Sequence, residues 1–361
     1  MKKKFIIITT VPISLSFFKG QIQVLKETFD IELISSAGKN LKEIAKQEGV
    51  SSFAIEMKRE ISILHDIKSL LQLISLFLKR KPNVVHGSTP KAGLLSMTAA
   101  WLTKTPVRIY YIHGLRYHGN TGIKKKILMN MEKLSCYFAT DVFSVSNGVK
   151  SELIASKITN KEIKVIWNGS VNGIDTRYFS TENTSSEQIK DKYAILDQDF
   201  VYGFVGRLVS DKGINELVKA FLKVNLKHKN TKLLLVGSFE DLLDPLEEKV
   251  KNEIESNPAI IYAGYQSDIR SFFNLMNLFV FPSYREGFGV SLMEAAAMGV
   301  PAISTNIIGC NEIVKNAYNG VLISPKSVND LLNSMLFLLE SERTLNEMAK
   351  VSRQYVIDKY E

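Results

Sequence analysis

The chain has 361 residues, 45% of them hydrophobic, with 46 Lys and Arg against 37 Asp and Glu and a net charge of +9. That length is enough for two domains, and the two cysteines, Cys136 and Cys310, are too far apart for a metal or redox pair, which points to packed thiols in a reducing cytoplasm. The charge is uneven: residues 1–180 hold 27 Lys/Arg and 13 Asp/Glu, residues 181–361 hold 19 and 24. A basic half suits an anionic membrane surface or diphosphate ligand. Nucleic acid is disfavoured, because no nucleic-acid motif or aromatic–basic interleaving appears.

Taken in order, Met1–Lys4 is basic, but only Phe5–Ile8 is continuously apolar before Pro12, so no signal peptide is expected. Phe5–Thr10 reads as a strand and Ile22–Phe29 as a helix, joined by a loop through Phe17, Phe18, Lys19 and Gly20 without the Gly-x-Gly-x-x-Gly of nicotinamide-binding folds. Ile31–Ser35 and Ser52–Ile55 read as strands, Leu41–Glu48 as a helix. A long helix over about 61–80 carries His65, Asp66 and Lys68, and its apolar residues fall on one face, which makes it amphipathic rather than a membrane span. A strand ending in Val84-Val85-His86 leads to Gly87–Gly93 and a small-residue helix. A Gly/Ser/Thr/Lys loop there can hold an anion through Lys91, although it lacks the phosphate-loop pattern. Val107–Ile112 is a strand ending in His113-Gly114-Leu115-Arg116-Tyr117-His118, where open α/β sheets place ligands. Gly122–Tyr137 is a basic amphipathic helix with Lys124, Lys125, Lys126 and Lys133. It either lies on an anionic membrane or covers the core with a solvated polar face.

Asp141–Ser146 and Ile163–Trp167 complete the first set of strands, and the polar Thr181–Gln188 reads as an exposed connection. Phe200–Val205 opens a second set, followed by Gly206-Arg207-Leu-Val-Ser-Asp-Lys212-Gly213 and a helix with Ile214, Leu217, Val218, Phe221 and Leu222 on one side. Two cations in that strand-to-helix loop, Arg207 and Lys212, either hold an anionic ligand or are surface charges. Lys232–Val236 is a strand, about Leu242–Ile254 an acidic helix, and Ile260–Tyr262 a strand leading to Gly264 and Tyr265. A following helix is capped by Ser267 or Asp268.

Residues 279–305 then read strand, loop, helix, strand: Phe279–Phe281, broken by Pro282, Gly287 and Gly289, with a helix over Val290–Met298, a Gly299 cap and Pro301 beyond it. Glu286 and Glu294 bracket the loop and helix start with seven residues between them. Eight residues of helix rise roughly 12 Å, too far for two carboxylates to share one reacting atom but suited to the ends of a long ligand with its phosphates at the helix N-terminus. Val321–Ile323, a helix over Val328–Leu339 and a final helix from about Glu342 close the chain.

This stretch, with Gly-Arg-Leu…Lys-Gly at 206–213, His113 and the Asn172–Phe179 segment, resembles the Glu-x7-Glu signature of the family-4 retaining glycosyltransferases. The resemblance implies the GT-B fold, α/β, with two Rossmann-like domains facing across a cleft. The expected boundaries are 1–178 on the acceptor side and 179–344 on the nucleotide-sugar side, with the helix over about 345–361 packing back on the first. It implies that Arg207 and Lys212 hold the diphosphate, Glu286 the sugar hydroxyls and Glu294 the ribose, and that His113 supports the reacting centre. Gly206, the amides of Phe288, Gly289, Val290 and Ser291, and a stacking or packing Tyr265 complete the donor side. Phe17, Lys19, Gly20, Lys91 and Arg116 are acceptor-side candidates, with loop packing and a solvated lysine the equal alternative for Phe17 and Lys19. The expected donor is a UDP-N-acetylhexosamine or UDP-hexose, GDP-sugars remaining open, and the acceptor a lipid-diphosphate-linked saccharide of capsule, O-antigen or exopolysaccharide assembly. No metal or other cofactor is expected, and the site of action is the inner membrane face. Two other readings stand: a nucleotide-sugar epimerase of the same fold, and a non-catalytic sugar-nucleotide or membrane-binding partner.

Overall fold

Apolar runs of strand length alternating with helices demand parallel strands joined by helical crossovers. The computed structural model, which describes residues 2–58, 60–241 and 244–361, meets that demand in two compact units. One runs to Asn172 and the other from Gly173 to Glu361.

In the first unit the elements are β1 (Lys3–Ile8), α1 (Gln21–Thr28), β2 (Phe29–Ser35), α2 (Lys39–Glu48), β3 (Ser51–Ala54), α3 (Ile63–Arg80), β4 (Val84–Ser88), α4 (Pro90–Leu102), β5 (Val107–Ile112), α5 (Gly122–Phe138), β6 (Asp141–Ser144), α6 (Asn147–Ala155) and β7 (Ile163–Lys164). The sheet is parallel, in the order β3-β2-β1-β4-β5-β6-β7. Strand order therefore reverses between β1 and β4, and ligands of such sheets sit beyond the carboxyl ends of the strands at that point. The loop after β1 carries a 3-10 helix over Pro12–Phe18.

Right-handed crossovers put α3, α4 and α5 on one face, with α4 packed against both others. The middle helix is apolar nearly all round, and its small residues let it lie close: a Cβ at Gly93 would meet the Tyr110 ring at 2.1 Å. An apolar stripe ordinarily turns to the core, yet α3 buries Leu73, Leu76 and Phe77 while Leu64, Ile67, Leu71 and Leu78 are exposed. Below α5, the buried Glu132 carboxylate accepts a hydrogen bond from the Tyr110 hydroxyl at 2.7 Å, and burial pushes its pKa up to about 7.

The second unit contains α7 (Glu187–Lys192), β8 (Phe200–Val205), α8 (Ile214–Lys227), β9 (Thr231–Val236), α9 (Glu248–Ser256), β10 (Ile260–Gly264), α10 (Arg270–Phe273), β11 (Leu278–Phe281), α11 (Val290–Ala297), β12 (Ala302–Thr305), β13 (Gly320–Ile323), α12 (Val328–Glu340) and α13 (Glu342–Tyr360). Its parallel order is β10-β9-β8-β11-β12-β13, so the reversal falls between β8 and β11. The acidic helix begins later than its sequence reading, whose first residues, 242–243, lie outside the described ones. Ile269, rather than Ser267 or Asp268, holds the cap position of α10 and makes no side-chain cap bond, while the Asp268 carboxylate one residue earlier accepts from the Arg270 amide at 3.1 Å.

The boundary at Asn172/Gly173 precedes the expected one, and α13 packs on α11 and α12 of its own unit. Hydrogen bonding explains both. The Ile174 amide donates to the Tyr360 carbonyl at 2.9 Å, and the Arg353 guanidinium donates to the carbonyls of Thr176 and Phe179 at 2.7 and 2.6 Å. A cation satisfying several buried carbonyls is a strong tie, so the segment from 173 to 180 belongs to the helix that holds it.

Candidate active site

The loops after β8 and β11 flank the strand-order reversal of the second unit. They are laced together through Asp211, whose carbonyl accepts from the Tyr284 amide at 2.8 Å and from the Ser283 hydroxyl at 3.3 Å. Its carboxylate meets Arg285 at 3.2 Å. Gly213 makes the close approach possible: its φ is +73°, and a Cβ there would lie 2.2 Å from the Pro282 carbonyl oxygen. Any side chain would be strained and would push the loops apart.

That lacing brings Lys212 and Glu286 into an ion pair, with side chains only 16% and 12% exposed. The Lys212 ammonium also lies 5.1 Å from the Phe281 ring centroid. Arg207 points elsewhere in this state. Its side chain is 56% exposed and pairs with Glu240. Glu294, on the first turns of α11, has no hydrogen bond or ion pair from its carboxylate to another described residue, and burial pushes it up to about 7. Burying a carboxylate without a partner is costly, so this group is suited to receive hydroxyl donors from a ligand.

The helix start is more occupied than its sequence suggests. The Gly289 amide donates to the Gly309 carbonyl at 3.0 Å and the Val290 amide to the Phe288 carbonyl at 3.0 Å. Gly309, with φ +80°, leaves no room for a Cβ against the Gly287 backbone. An anion at this terminus would share or replace those bonds. Phe288 is buried edge-on against Tyr360, Ser291 is partly buried and Val290 exposed. Gly206 shapes the start of the β8 loop with its amide on the Val236 carbonyl. Tyr265, after β10, presents a largely exposed ring.

In the first unit, the corresponding reversal is closed by hydroxyls: Thr10 and Thr89 Oγ1 are 2.7 Å apart, and the Ala92 amide donates to Thr10 Oγ1 at 3.2 Å. His113, at the end of β5, lies in a run of rings. It stacks on Phe17 at 4.5 Å and on Tyr111 at 4.7 Å, and Tyr111 stacks on His86 at 5.9 Å. His113 Nε2 is 3.3 Å from Ser88 Oγ, while its Nδ1 and His86 Nε2 are buried without a hydrogen-bond partner. Burial, with a contribution from His86, holds His113 down at about 3, and burial holds His86 at about 4. Both are neutral at pH 7, so His113 is built to orient or accept rather than to carry charge.

Phe17 thus packs on the histidine, while Lys19, Gly20 and Arg116 are exposed. Lys91, an acceptor-side candidate, is turned into the protein. Its side chain is 4% exposed, paired with Asp66 of α3 at 2.7 Å and donating to the Glu60 carbonyl. A lysine with that much apolar cover needs a carboxylate inside the protein. His86, at the strand end, is stacked but has an unpartnered nitrogen. His118, unassigned from sequence, lies 3.2 Å from Glu152. Sequence reasoning missed Asp211, whose only signal was its place between Arg207 and Lys212. Among the described residues, no group of three His, Cys, Asp or Glu is placed to hold a metal ion.

Comparison with known proteins follows the same two-part division. The model "Glycosyltransferase Family 4" matches residues 24–171, and "Glycosyl transferases group 1" matches residues 185–355. A Staphylococcus aureus protein, capsular polysaccharide biosynthesis glycosyltransferase CapM, is 37% identical over 99% of this chain and 93% of its own length. The chain belongs to this glycosyltransferase family. Two other relatives of the glycosyltransferase are each 27% identical. An Escherichia coli UDP-Gal:α-D-GlcNAc-diphosphoundecaprenol α-1,3-galactosyltransferase matches over 92% of this chain and 85% of its own. A Campylobacter jejuni N,N'-diacetylbacillosaminyl-diphospho-undecaprenol α-1,3-N-acetylgalactosaminyltransferase matches over 80% and 76%. Among solved structures, Anabaena Alr3699/HepE in complex with UDP has a TM-score of 0.79 at 17% identity, covering 99% of this chain and 96% of that one. The glycosyltransferase WaaG has a TM-score of 0.72 at 14% identity over 98% and 95%. These likenesses establish the GT-B architecture.

Proposed function

We propose that this glycosyltransferase moves a sugar from a UDP-sugar, with retention at the anomeric carbon, to a lipid-diphosphate-linked saccharide in bacterial surface polysaccharide synthesis. The observation that carries it is the Lys212–Glu286 pair at the reversal between β8 and β11. In this reading the arriving diphosphate draws Lys212 from Glu286, and Arg207 from Glu240. The two cations then stabilise the leaving group most strongly as its charge develops. Released from its lysine, Glu286 accepts hydrogen bonds from sugar hydroxyls. Glu294 takes the ribose hydroxyls, which supply the donors its carboxylate lacks, and Tyr265 stacks on the base.

The bond from the anomeric carbon to the diphosphate oxygen breaks on the same face on which the acceptor hydroxyl attacks. The hydroxyl proton passes to the departing phosphate. Neutral His113, held by Phe17, Tyr111 and Ser88, supports the reacting sugar. Lys19 and Arg116, both exposed, are the candidates for the acceptor diphosphate. The protein's own cations carry the phosphate charge, so the reading calls for no metal or cofactor. Support for the substrates comes from the activities of the E. coli and C. jejuni relatives and the capsular role of the S. aureus one. A diphosphate lipid acceptor puts the work at the inner face of the cell membrane, where the basic first half is electrostatically favoured.

The test is a panel of UDP- and GDP-sugars scored by thermal shift, then by transfer to a lipid-diphosphate sugar. UDP-sugar-dependent transfer lost in Lys212→Ala and Glu286→Ala supports the reading. Turnover unchanged in both variants defeats the site assignment, and epimerisation of the UDP-sugar without acceptor defeats the transferase reading.

A further inference from the structure

The loop that follows β7 has a shape its residues resist. The Gly169 amide donates to the Ile166 carbonyl at 3.0 Å, which closes a turn over 166–169. Trp167 takes the second position of that turn with φ +52°, where glycine, asparagine or aspartate is the usual residue. Nine non-glycine residues among the described ones have positive φ, and Trp167 alone is aromatic. A bulky side chain in that region is strained. Packing does not offset the strain, because Trp167 is 83% exposed. Strain of this kind gathers where a ligand uses the group it displays.

The rest of the loop is tied to the acceptor-side candidates of the same unit. The Ser170 amide donates to the Val145 carbonyl at 2.8 Å, and the Ser170 carbonyl accepts from the Tyr111 hydroxyl at 3.3 Å. Tyr111 is the ring stacked on His113. The Gln21 side-chain amide donates to the Val171 carbonyl at 3.1 Å, and Gln21 directly follows Lys19 and Gly20. The loop is thus braced on His113's neighbour and on the Lys19 segment, with the indole left outside. Loops held on a rigid scaffold in this way present binding groups.

The indole is uncharged, so it offers nothing to a phosphate. A pyranose matches it better. One face of such a ring carries C–H bonds, which are attracted to the electron-rich face of an aromatic ring, while the hydroxyls at the rim stay solvated. Resting on the lipid-diphosphate-saccharide reading above, we propose that Trp167 is the platform on which the sugar ring of the acceptor stacks, its diphosphate being left to the Lys19 side.

The chain has two tryptophans, Trp101 and Trp167, so a Trp101→Phe background leaves one fluorescent reporter. Three soluble probes are titrated into it: a short-chain prenyl diphosphate carrying one N-acetylhexosamine, the same prenyl diphosphate without the sugar, and UDP. The sugar-bearing probe shifts the emission to the blue, and the other two leave it unchanged. In the native background, Trp167→Asn raises the acceptor KM about tenfold, the usual loss for truncating one aromatic anchor, with kcat and the donor KM unchanged. It melts no lower than the wild-type chain, because asparagine fits the turn. Trp167→Tyr keeps a ring and recovers most of the acceptor affinity.

Equal shifts with the sugar-free lipid or with UDP overturn the proposal. So does a melting temperature that falls in Trp167→Asn, which would make the ring a support of the loop. Wild-type transfer with an unchanged acceptor KM in Trp167→Asn defeats this proposal alone. A wild-type chain that transfers to no lipid-diphosphate sugar defeats the acceptor reading, and this proposal with it.

Discussion

The two units share a parallel doubly wound sheet and a strand-order reversal, yet they furnish those reversals oppositely. Between β1 and β4 lie hydroxyls, and nearby are stacked rings and neutral histidines, with Lys91 withdrawn against Asp66. Between β8 and β11 lie the charged pairs of Lys212 with Glu286 and Arg285 with Asp211. This inverts the bulk charge, because the basic half has the nearly neutral crevice and the acidic half holds the cations at its crevice. Net charge belongs mostly to solvated outer faces, whereas a site's field is set by a few partly buried groups whose interactions water screens less.

The comparison breaks most decisively at Lys212. Lys212→Ala is expected to lower kcat/KM by about 10²–10³-fold, the usual effect of removing one preorganised charge at a leaving group. His113→Gln, which keeps a neutral polar group but loses ring stacking, is expected to lower it by only about tenfold, near the upper end of what one neutral hydrogen bond supplies. Steady-state kinetics on the same donor compares the two, and a larger loss at His113 would reverse the assignment of roles.

Lys91 sharpens the contrast through stability. Lys91→Met leaves Asp66 without its cation and is expected to destabilise by about 3–5 kcal/mol, while adding Asp66→Leu recovers most of that loss. Denaturant melts follow the recovery. An acceptor KM that stays raised in the recovered double variant would return Lys91 to the acceptor site.

The smallest effect is a pH dependence. Glu294 sits at about 7, above its ordinary range because burial penalises the carboxylate. Its contribution to stability is present below about 4.5 and lost as pH rises through about 7. In the proposed reading ribose hydroxyls would donate to the ionised form, so nucleotide binding is expected to tighten severalfold as pH rises from 6 to 8. Glu294→Gln is expected to flatten that dependence, as calorimetric titration with UDP would show.

Much of the site was legible because its residues are packed into two short loops with strong punctuation. Gly206–Gly213 and Pro282–Gly289 both announce strand ends, and the charges between their glycines stand out against apolar flanks. Asp211 was not legible, since its role lies in a backbone carbonyl that binds Tyr284 and Ser283 across the crevice. The withdrawal of Lys91 was equally hidden, because its partner belongs to a different helix.

By itself, the order of residues determined the alternation of strands and helices, the two-part division and the chemistry of the loops, all of which depend on local periodicity and turn residues. Only the tertiary structure decided that Lys212 meets Glu286, that α13 packs on α11 and α12, and which side of α3 faces out. A helical period states that a face exists but not what lies opposite it. With apolar residues on both sides of α3, the packing of α4 and the sheet chose which ones to bury.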